Sequence, residues 1–316
     1  MIGDVFEKYE CFGIEVSIVG SEFDFAGRKT IRRQDAGSPL DIRDPKVINA
    51  DPFLFAHNGR LYLFYEETTF RKPGGRIMMV STDDLKNWTR PVRISKEDDL
   101  HFSFPYVFED DGAVYMIPET GWGGEVRLYK AAGDDLADFR QDSVLLRRET
   151  KDDGIIFDFA DNVLYKKDGT YYLFTSILDS EGYRLLLYAS SALRGPYRLH
   201  PSSPICHSMK FGRNAGALIE ADGRLFRPTQ DCSEKYGGQV NIMEITDLSP
   251  ERYRETLLKE HVLPSSDSFY KDGGHQLNYA KFLGKTVMAT DARRDRPFFG
   301  IRIADKLKRI IGLKNN

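Results

Sequence analysis

Apolar residues in this chain fall in pairs of short runs, each pair hinged on a turn that contains glycine. The best-formed pair covers residues 53–64, with Asn58-Gly59 between its arms and a carboxylate beyond each end, Asp51 and Glu66. Asn-Gly supplies the positive backbone dihedrals of a two-residue turn, so this segment is expected to be a tight β-hairpin. Pro52 is expected to hold Asp51 extended, as suits the start of a strand. Four more segments repeat the pattern: 106–116 turning at Gly112, 163–173 at Gly169, 217–226 at Gly223 and, least regular, 280–288 at Gly284.

The turn glycines recur roughly every 50 to 60 residues, a period that marks propeller blades built of several short strands. A third strand reads clearly at 76–81, 125–129, 184–188 and 239–243, and short fourth strands are expected near Trp88, Phe139, Tyr197 and Tyr253. The expected fold is therefore all-β: a single five-bladed β-propeller, with blades at about 47–98, 101–148, 155–200, 210–260 and 270–302. The alternating segment 12–19 would complete the last blade from the other terminus and close the ring. A β-sandwich with the same hairpins is the competing architecture, and the regular spacing disfavours it. The tail, 303–316, has apolar residues at helical spacing interleaved with cations. Such a basic amphipathic helix can lie on a membrane surface, although a plain surface helix is the simpler expectation.

Composition narrows the function classes. Lys plus Arg is 45 against 48 for Asp plus Glu, which gives no electrostatic case for nucleic acid. Aromatic residues make up 12%, with 21 Phe and 16 Tyr, favouring strands and surfaces on which sugars stack. No apolar run approaches the roughly 18 residues of a membrane span. The first eight residues lack a basic region followed by an apolar one, so a signal peptide is not expected. Cys11, Cys206 and Cys232 have no metal-ligand spacing, and the cytoplasm is the expected compartment.

The repeat also locates chemistry. Eight positions before each turn glycine stand Asp51, Phe104, Asp161, Ala215 and Gln276; seven positions after it stand Glu66, Glu119, Ser176, Gln230 and Asp291. At roughly 3.3 Å per residue both sets lie about 23 Å or more from the turn, at the rim of the axial funnel. Ser103, Asn214, Arg213 and His275 precede the first set, and the polar loop 227–238 brings Asp231 beside Gln230. Two carboxyl groups flanking a glycosidic bond, one kept protonated, suffice for acid–base cleavage. The same carboxylates could instead bind sugar hydroxyls or Ca²⁺, which prefers oxygen ligands.

Several blocks carry a resemblance: 50–55, 101–108, 115–119, 225–232 and Tyr236-Gly237. Together, over about residues 45 to 295, they resemble the N-terminal domain of glucosamine inositolphosphorylceramide transferases, which in plants accompanies a separate glycosyltransferase domain. More distantly the repeat is similar to the five-bladed glycoside hydrolases of families 43, 32 and 68. That similarity implies an Asp on the first inner strand, matched by Asp51. Their second Asp falls at Phe104, a departure, with Glu119 across the hairpin. Their third acid corresponds to Asp161, or to Asp158 if the register shifts. Asp51, Glu119 and Asp161 are thus the expected catalytic groups. Glu66, Ser103, Asp158, Arg213, Asn214, Gln230, Asp231, His275 and Asp291 are expected to hold substrate. The function expected is action on a glycan or glycoconjugate by carboxylate chemistry. The alternative is a non-catalytic glycan-binding propeller or a glycosyltransferase partner.

Overall fold

The hairpin at residues 53–64 forms in the computed structural model, which describes residues 6–97, 100–121, 123–148 and 154–310. Two strands precede it in the chain, β1 (Lys8–Val19) and β2 (Lys29–Gln34). The hairpin itself is β3 (Lys46–His57) and β4 (Arg60–Thr69), and β5 (Arg76–Thr82) and β6 (Val92–Arg93) follow it. The second repeat gives β7 (Ser103–Asp110), β8 (Ala113–Glu119), β9 (Glu125–Ala131) and β10 (Phe139–Arg147). The third gives β11 (Phe157–Lys167), β12 (Thr170–Asp179), β13 (Gly182–Ser190), β14 (Arg198–Leu199) and β15 (Cys206–His207). The fourth gives β16 (Arg213–Asn214), β17 (Ile219–Ala221), β18 (Arg224–Asp231), β19 (Gln239–Leu248) and β20 (Tyr253–Lys259). Last come β21 (Leu277–Phe282), β22 (Lys285–Pro297) and the helix α1 (Phe299–Ile310).

These strands form four antiparallel meanders, one of them extended to eight strands in the order β21-β22-β1-β3-β4-β5-β6, with β2 on β1. Within it, the runs β21-β22-β1-β2 and β3-β6 meet through one parallel bridge, Phe12 to Ile48. As expected, the N-terminal strand joins the last one: β1 pairs with β22 from Lys8–Pro297 to Val19–Thr286. β2 lies in a stretch whose polarity hid it. Its outer-edge position needs no apolar face, and the buried Glu15 of β1 anchors its surroundings through Arg33 and through Arg28 at 2.8 Å.

Neighbouring meanders stack face to face, so the middle strands are covered on both sides. Residues Leu61 to Tyr65 of β4 are all buried in succession, an unbroken apolar run where a one-sided sheet would alternate. Phe53, Phe64, Phe104, Phe174 and Leu187 belong to one large core that also takes in Ile245 and Tyr253 and so draws on all four meanders. In the fourth meander the inner strand is split into β16 and β17. Gly216 sits there at φ 138°, where an added Cβ would fall 2.0 Å from the Leu277 carbonyl oxygen. Only glycine lets the backbones approach closely enough for the Leu277 N–H to reach the Ala215 oxygen, at 2.7 Å.

Candidate functional site

Counting back from the turn glycines assumes an unbroken ladder, and the ladder is broken at the same place in three repeats. Glu66 pairs with Ala50 rather than Asp51, Glu119 with Ser103 rather than Phe104, and Ser176 with Ala160 rather than Asp161. The next residue in each, Asp51, Phe104 or Asp161, is left over as a bulge with positive φ: 51°, 44° and 53°. Asp51 is therefore not extended, despite Pro52. A left-handed residue costs about 1–3 kcal/mol unless its surroundings enforce it. Here they do, because each bulge frees a backbone N–H that a carboxylate on a strand outside its own repeat accepts. Asp291 accepts from Asp51 N–H at 3.2 Å, Asp51 from Phe104 N–H at 3.0 Å, and Glu119 from Asp161 N–H at 3.1 Å. In the fourth repeat the pairing is Arg213 with Gln230, two positions earlier than the count implies.

A cavity of about 540 Å³ opens above these bulges. It is lined by Asp51, Glu66, Ser103, Glu119, Asp161 and Arg213, together with His101, Tyr183, Tyr236 and a partly apolar rim that includes Phe157 and Leu178. Two larger grooves, of about 720 and 630 Å³, lie at the hairpin-turn end of the molecule. Their ionisable side chains are mostly exposed. The carboxylates and Arg213 of the funnel are buried, while His101 is half-buried and Tyr236 exposed at its rim.

Inside the funnel the carboxylates have different partners. Asp161 accepts from Arg213 Nη2 at 2.9 Å and Nε, and from Gln230 Nε2 at 3.1 Å. Asn214 donates to the Asp161 carbonyl oxygen at 2.8 Å and is itself held by the buried Arg227, at 3.4 Å. Arg213 lies over the rings of Tyr183 and Tyr236, 5.0 and 5.4 Å from their centroids. Glu119 lies 3.9 Å from the same guanidinium, at the Nη2 already bonded to Asp161. Burial, reinforced by the Asp161 charge and opposed by Arg213, pushes Glu119 up to about 8. Glu66 is raised well above the usual carboxylate range, by burial first and then by Asp51. Asp51 rises to about 6 because burial and the charges of Asp291 and Asp161 outweigh His275.

His275 and Asp291 sit behind Asp51. The imidazole Nδ1 is 2.6 Å from Asp291 and 3.8 Å from Asp51, and its ring stacks on Phe12 at 4.5 Å. Burial alone would depress its pKa. The two carboxylates overcome this and raise it to about 9. Asp291 also accepts the N–H groups of His275 and Gln276, at 2.8 and 3.0 Å.

The structure thus brings together ten of the twelve expected residues, eight around Asp51 and Asp161 directly and Asn214 and Gln230 as supports of Asp161. Asp158 and Asp231 are corrections. Asp158 pairs with Arg148 away from the cavity lining. Asp231, one residue after the inward Gln230, faces a separate cleft, bonded to Ser233 at 2.5 Å and to His261 at 3.0 Å. His101 and Tyr183 went unread, because counting from turns samples only the first two strands of each repeat. His101 Nδ1 accepts the Gly75 N–H at 2.9 Å, leaving Nε2 3.9 Å from Glu66. Its sequence signals were its isolation ahead of β7 and its place at the head of the block 101–108. Phe104 carries no chemistry at the axis: it is buried against Phe53, with ring centroids 4.9 Å apart.

Comparison with known proteins follows the same lines. Residues 36–281 match the family described as glucosamine inositolphosphorylceramide transferase 1, N-terminal. The chain is 32% identical over 219 residues to glucosamine inositolphosphorylceramide transferase 1 of Arabidopsis thaliana, and 31% identical over 224 residues to that of Oryza sativa subsp. japonica. These alignments cover 67% and 69% of this chain but only 27% and 29% of the relatives. In fold it is similar to a family 117 glycoside hydrolase produced by Zobellia galactanivorans, with TM-score 0.55, 10% identity, and 93% and 92% of the two chains covered. It is also similar to a bifunctional GH43-CE protein of Bacteroides eggerthii, with TM-score 0.52, 19% identity, and 73% and 29% covered. At these identities the likeness concerns the fold alone.

Proposed function

Since the chain belongs to the family of the glucosamine inositolphosphorylceramide transferase 1 N-terminal region, we propose that it is a five-bladed propeller whose axial funnel acts on a glycan or glycoconjugate. The eight-stranded sheet is then two blades, β3-β6 and β21-β22-β1-β2, touching at one parallel bridge. The observation that carries the reading is the separation of the funnel carboxyls by environment. Glu119, raised to about 8, holds its proton at neutral pH, while Asp51, at about 6, has largely lost its own. Two carboxyl groups pushed apart in this way are the requirement for acid–base work at a glycosidic bond.

Glu119 is accordingly the general acid and Asp51 the base or nucleophile. Asp161 spends its oxygens on Arg213 and Gln230, so it holds the acid in place rather than delivering a proton. Glu66, Ser103, His101 and the rings of Tyr183 and Tyr236 offer the donors, acceptors and flat faces that sugar hydroxyls and pyranose rings need. Asp51, His275 and Asp291 could together hold a divalent cation, since one donor atom from each lies within 4.8 Å of the others. Two carboxylates and an imidazole suit such an ion once His275 loses its proton, and Ca²⁺ there would neutralise the charge behind Asp51.

The test is turnover and binding measured side by side on a glycan and glycoside panel. Asp51→Asn and Glu119→Gln should each lower turnover at least about 100-fold, the lower end of what one acid or base supplies, while a bound sugar is still retained. Unchanged turnover would sink the assignment. A second reading, glycan binding without catalysis in support of a glycosyltransferase, is favoured by one observation. Phe104 is a core residue at the position where the hydrolase pattern has its second Asp. Sugar binding by the unaltered protein, with no turnover of any bound sugar, would select that reading.

A further inference from the structure

We propose that the outward face of α1, with the loop beside its start, docks this protein on an anionic lipid surface with the funnel mouth turned towards the lipid. The docking stands on the geometry of α1; that it serves a lipid-borne glycan rests on the function proposed above.

An amphipathic helix on a globular domain normally turns its apolar stripe inward. α1 does the reverse. Its inner side is marked by the buried Ile301, with Phe298 just ahead of the helix, by Gly300, whose N–H reaches the Pro39 oxygen at 2.9 Å, and by Asp305, which pairs with Arg71 at 2.9 Å. At 100° per residue, Ile303, Leu307 and Ile310 share another face, and they are 47%, 55% and 72% exposed. Next to the helix start, Leu40 and Ile42 are exposed to 67% and 64%. Among the described residues nothing covers this patch. Exposed Lys306 borders this stripe, exposed Lys308 and Arg309 lie further round the last turn, and Arg43 stands in the adjoining loop. Acids beside the helix are already engaged, Asp41 with Arg43, Asp305 with Arg71 and Glu7 with Arg302. A stripe of large apolar side chains edged by cations is the signature of a helix lying in a lipid interface, and the cations match the negative headgroups.

The placement gives the patch its direction. β22 starts at the Gly284 turn, passes Asp291 in the funnel and runs on to Pro297, so α1 begins on the funnel-mouth side. Residues 70–74 tie helix to mouth. The Phe70 ring is 5.5 Å from that of Phe298, Arg71 pairs with Asp305, and Pro73 and Gly74 line the cavity. A surface that meets Ile303 and Leu307 therefore meets the rim of the funnel.

Co-sedimentation of the full chain with vesicles decides this. Vesicles of phosphatidylcholine with one third phosphatidylglycerol should bring the protein down, phosphatidylcholine alone should not, and added salt should release it. The double variant Ile303→Asp with Leu307→Asp should bind about tenfold or more weakly with an unchanged melting temperature, since both side chains are exposed. Lys308→Glu with Arg309→Glu should weaken binding as well. Failure to bind the anionic vesicles, or equal binding to both kinds, overturns the proposal. So does a dimer in solution that the Asp variants convert to monomer, which would make a second copy the occupant. Asp51→Asn should sediment like the unaltered protein. Loss of docking with turnover intact therefore removes this inference alone, and unchanged turnover in Asp51→Asn with docking intact removes the funnel chemistry alone.

Discussion

The Glu119 carboxyl accepts the backbone N–H of Asp161 at 3.1 Å, across the gap between two meanders. The same contact recurs at the Phe104 N–H, accepted by Asp51, and at the Asp51 N–H, accepted by Asp291. The acids of the funnel thus do two things at once. They satisfy backbone groups that the bulges leave unpaired, and they crowd negative charge into a cavity where burial makes the charge costly.

Removing the cation from this arrangement should be expensive. Arg213→Ala leaves the buried Asp161 carboxylate without its main partner, and loss of about 3–5 kcal/mol of stability is expected. Urea denaturation of the two proteins measures it. Arg213→Lys should recover only part of the loss, since an ammonium cannot reproduce the two-nitrogen grip on Asp161.

Stability should fall as pH rises from about 5 to 9. Glu119 and Asp51 have folded values raised to about 8 and about 6 from 4.5 and 3.8, and His275 is raised to about 9 from 6.5. A raised folded value means that the native state binds more protons than the unfolded chain. The contribution is fully present below the unfolded value and is lost as pH climbs through the folded one. Denaturation at pH 5, 7 and 9 should show the decline, and Glu119→Gln should flatten it between pH 5 and 8. A stability that climbs over this range would contradict the burial of these groups.

Asp158 and Asp231 supply the controls. Both point away from the funnel, one to Arg148 and the other to His261. Asp158→Asn and Asp231→Asn should leave glycan binding or turnover within about twofold of the unaltered protein, because their partners Arg148, Ser233 and His261 line no part of the funnel. Effects as large as that of Asp51→Asn would relocate the site.

The junction of the first and last strands should govern the whole fold. Ile14 and Val16 of β1 are fully buried against Leu61, Leu63 and Val287. Ile14→Ala is expected to cost about 2–5 kcal/mol. Deleting residues 1–19 would bare the β22 edge, and light scattering should then reveal association through it.

Much of this was legible in the chain, for a physical reason. Asn-Gly and Asp-Gly turns act through their own backbone dihedrals, and strand patterns act through neighbours two residues apart, so the hairpins, their period and the pairing of segment 12–19 with the last strand could be read locally. Counting from the turns even found the right end of each strand. The selection made there was tertiary. Whether Asp51 faces Glu66 or turns into the cavity depends on a bulge whose freed N–H is accepted by the sequence-distant Asp291 carboxylate. Whether Gln230 or Asp231 enters the funnel depends on which face of β18 meets Asp161. His101 and Tyr183 join because third strands and loops close over the mouth, and the apolar stripe of α1 turns outward because Ile301, with Phe298 ahead of it, occupies the inner side. Contacts between residues 26 to 240 positions apart settled those points, and no local pattern carries them.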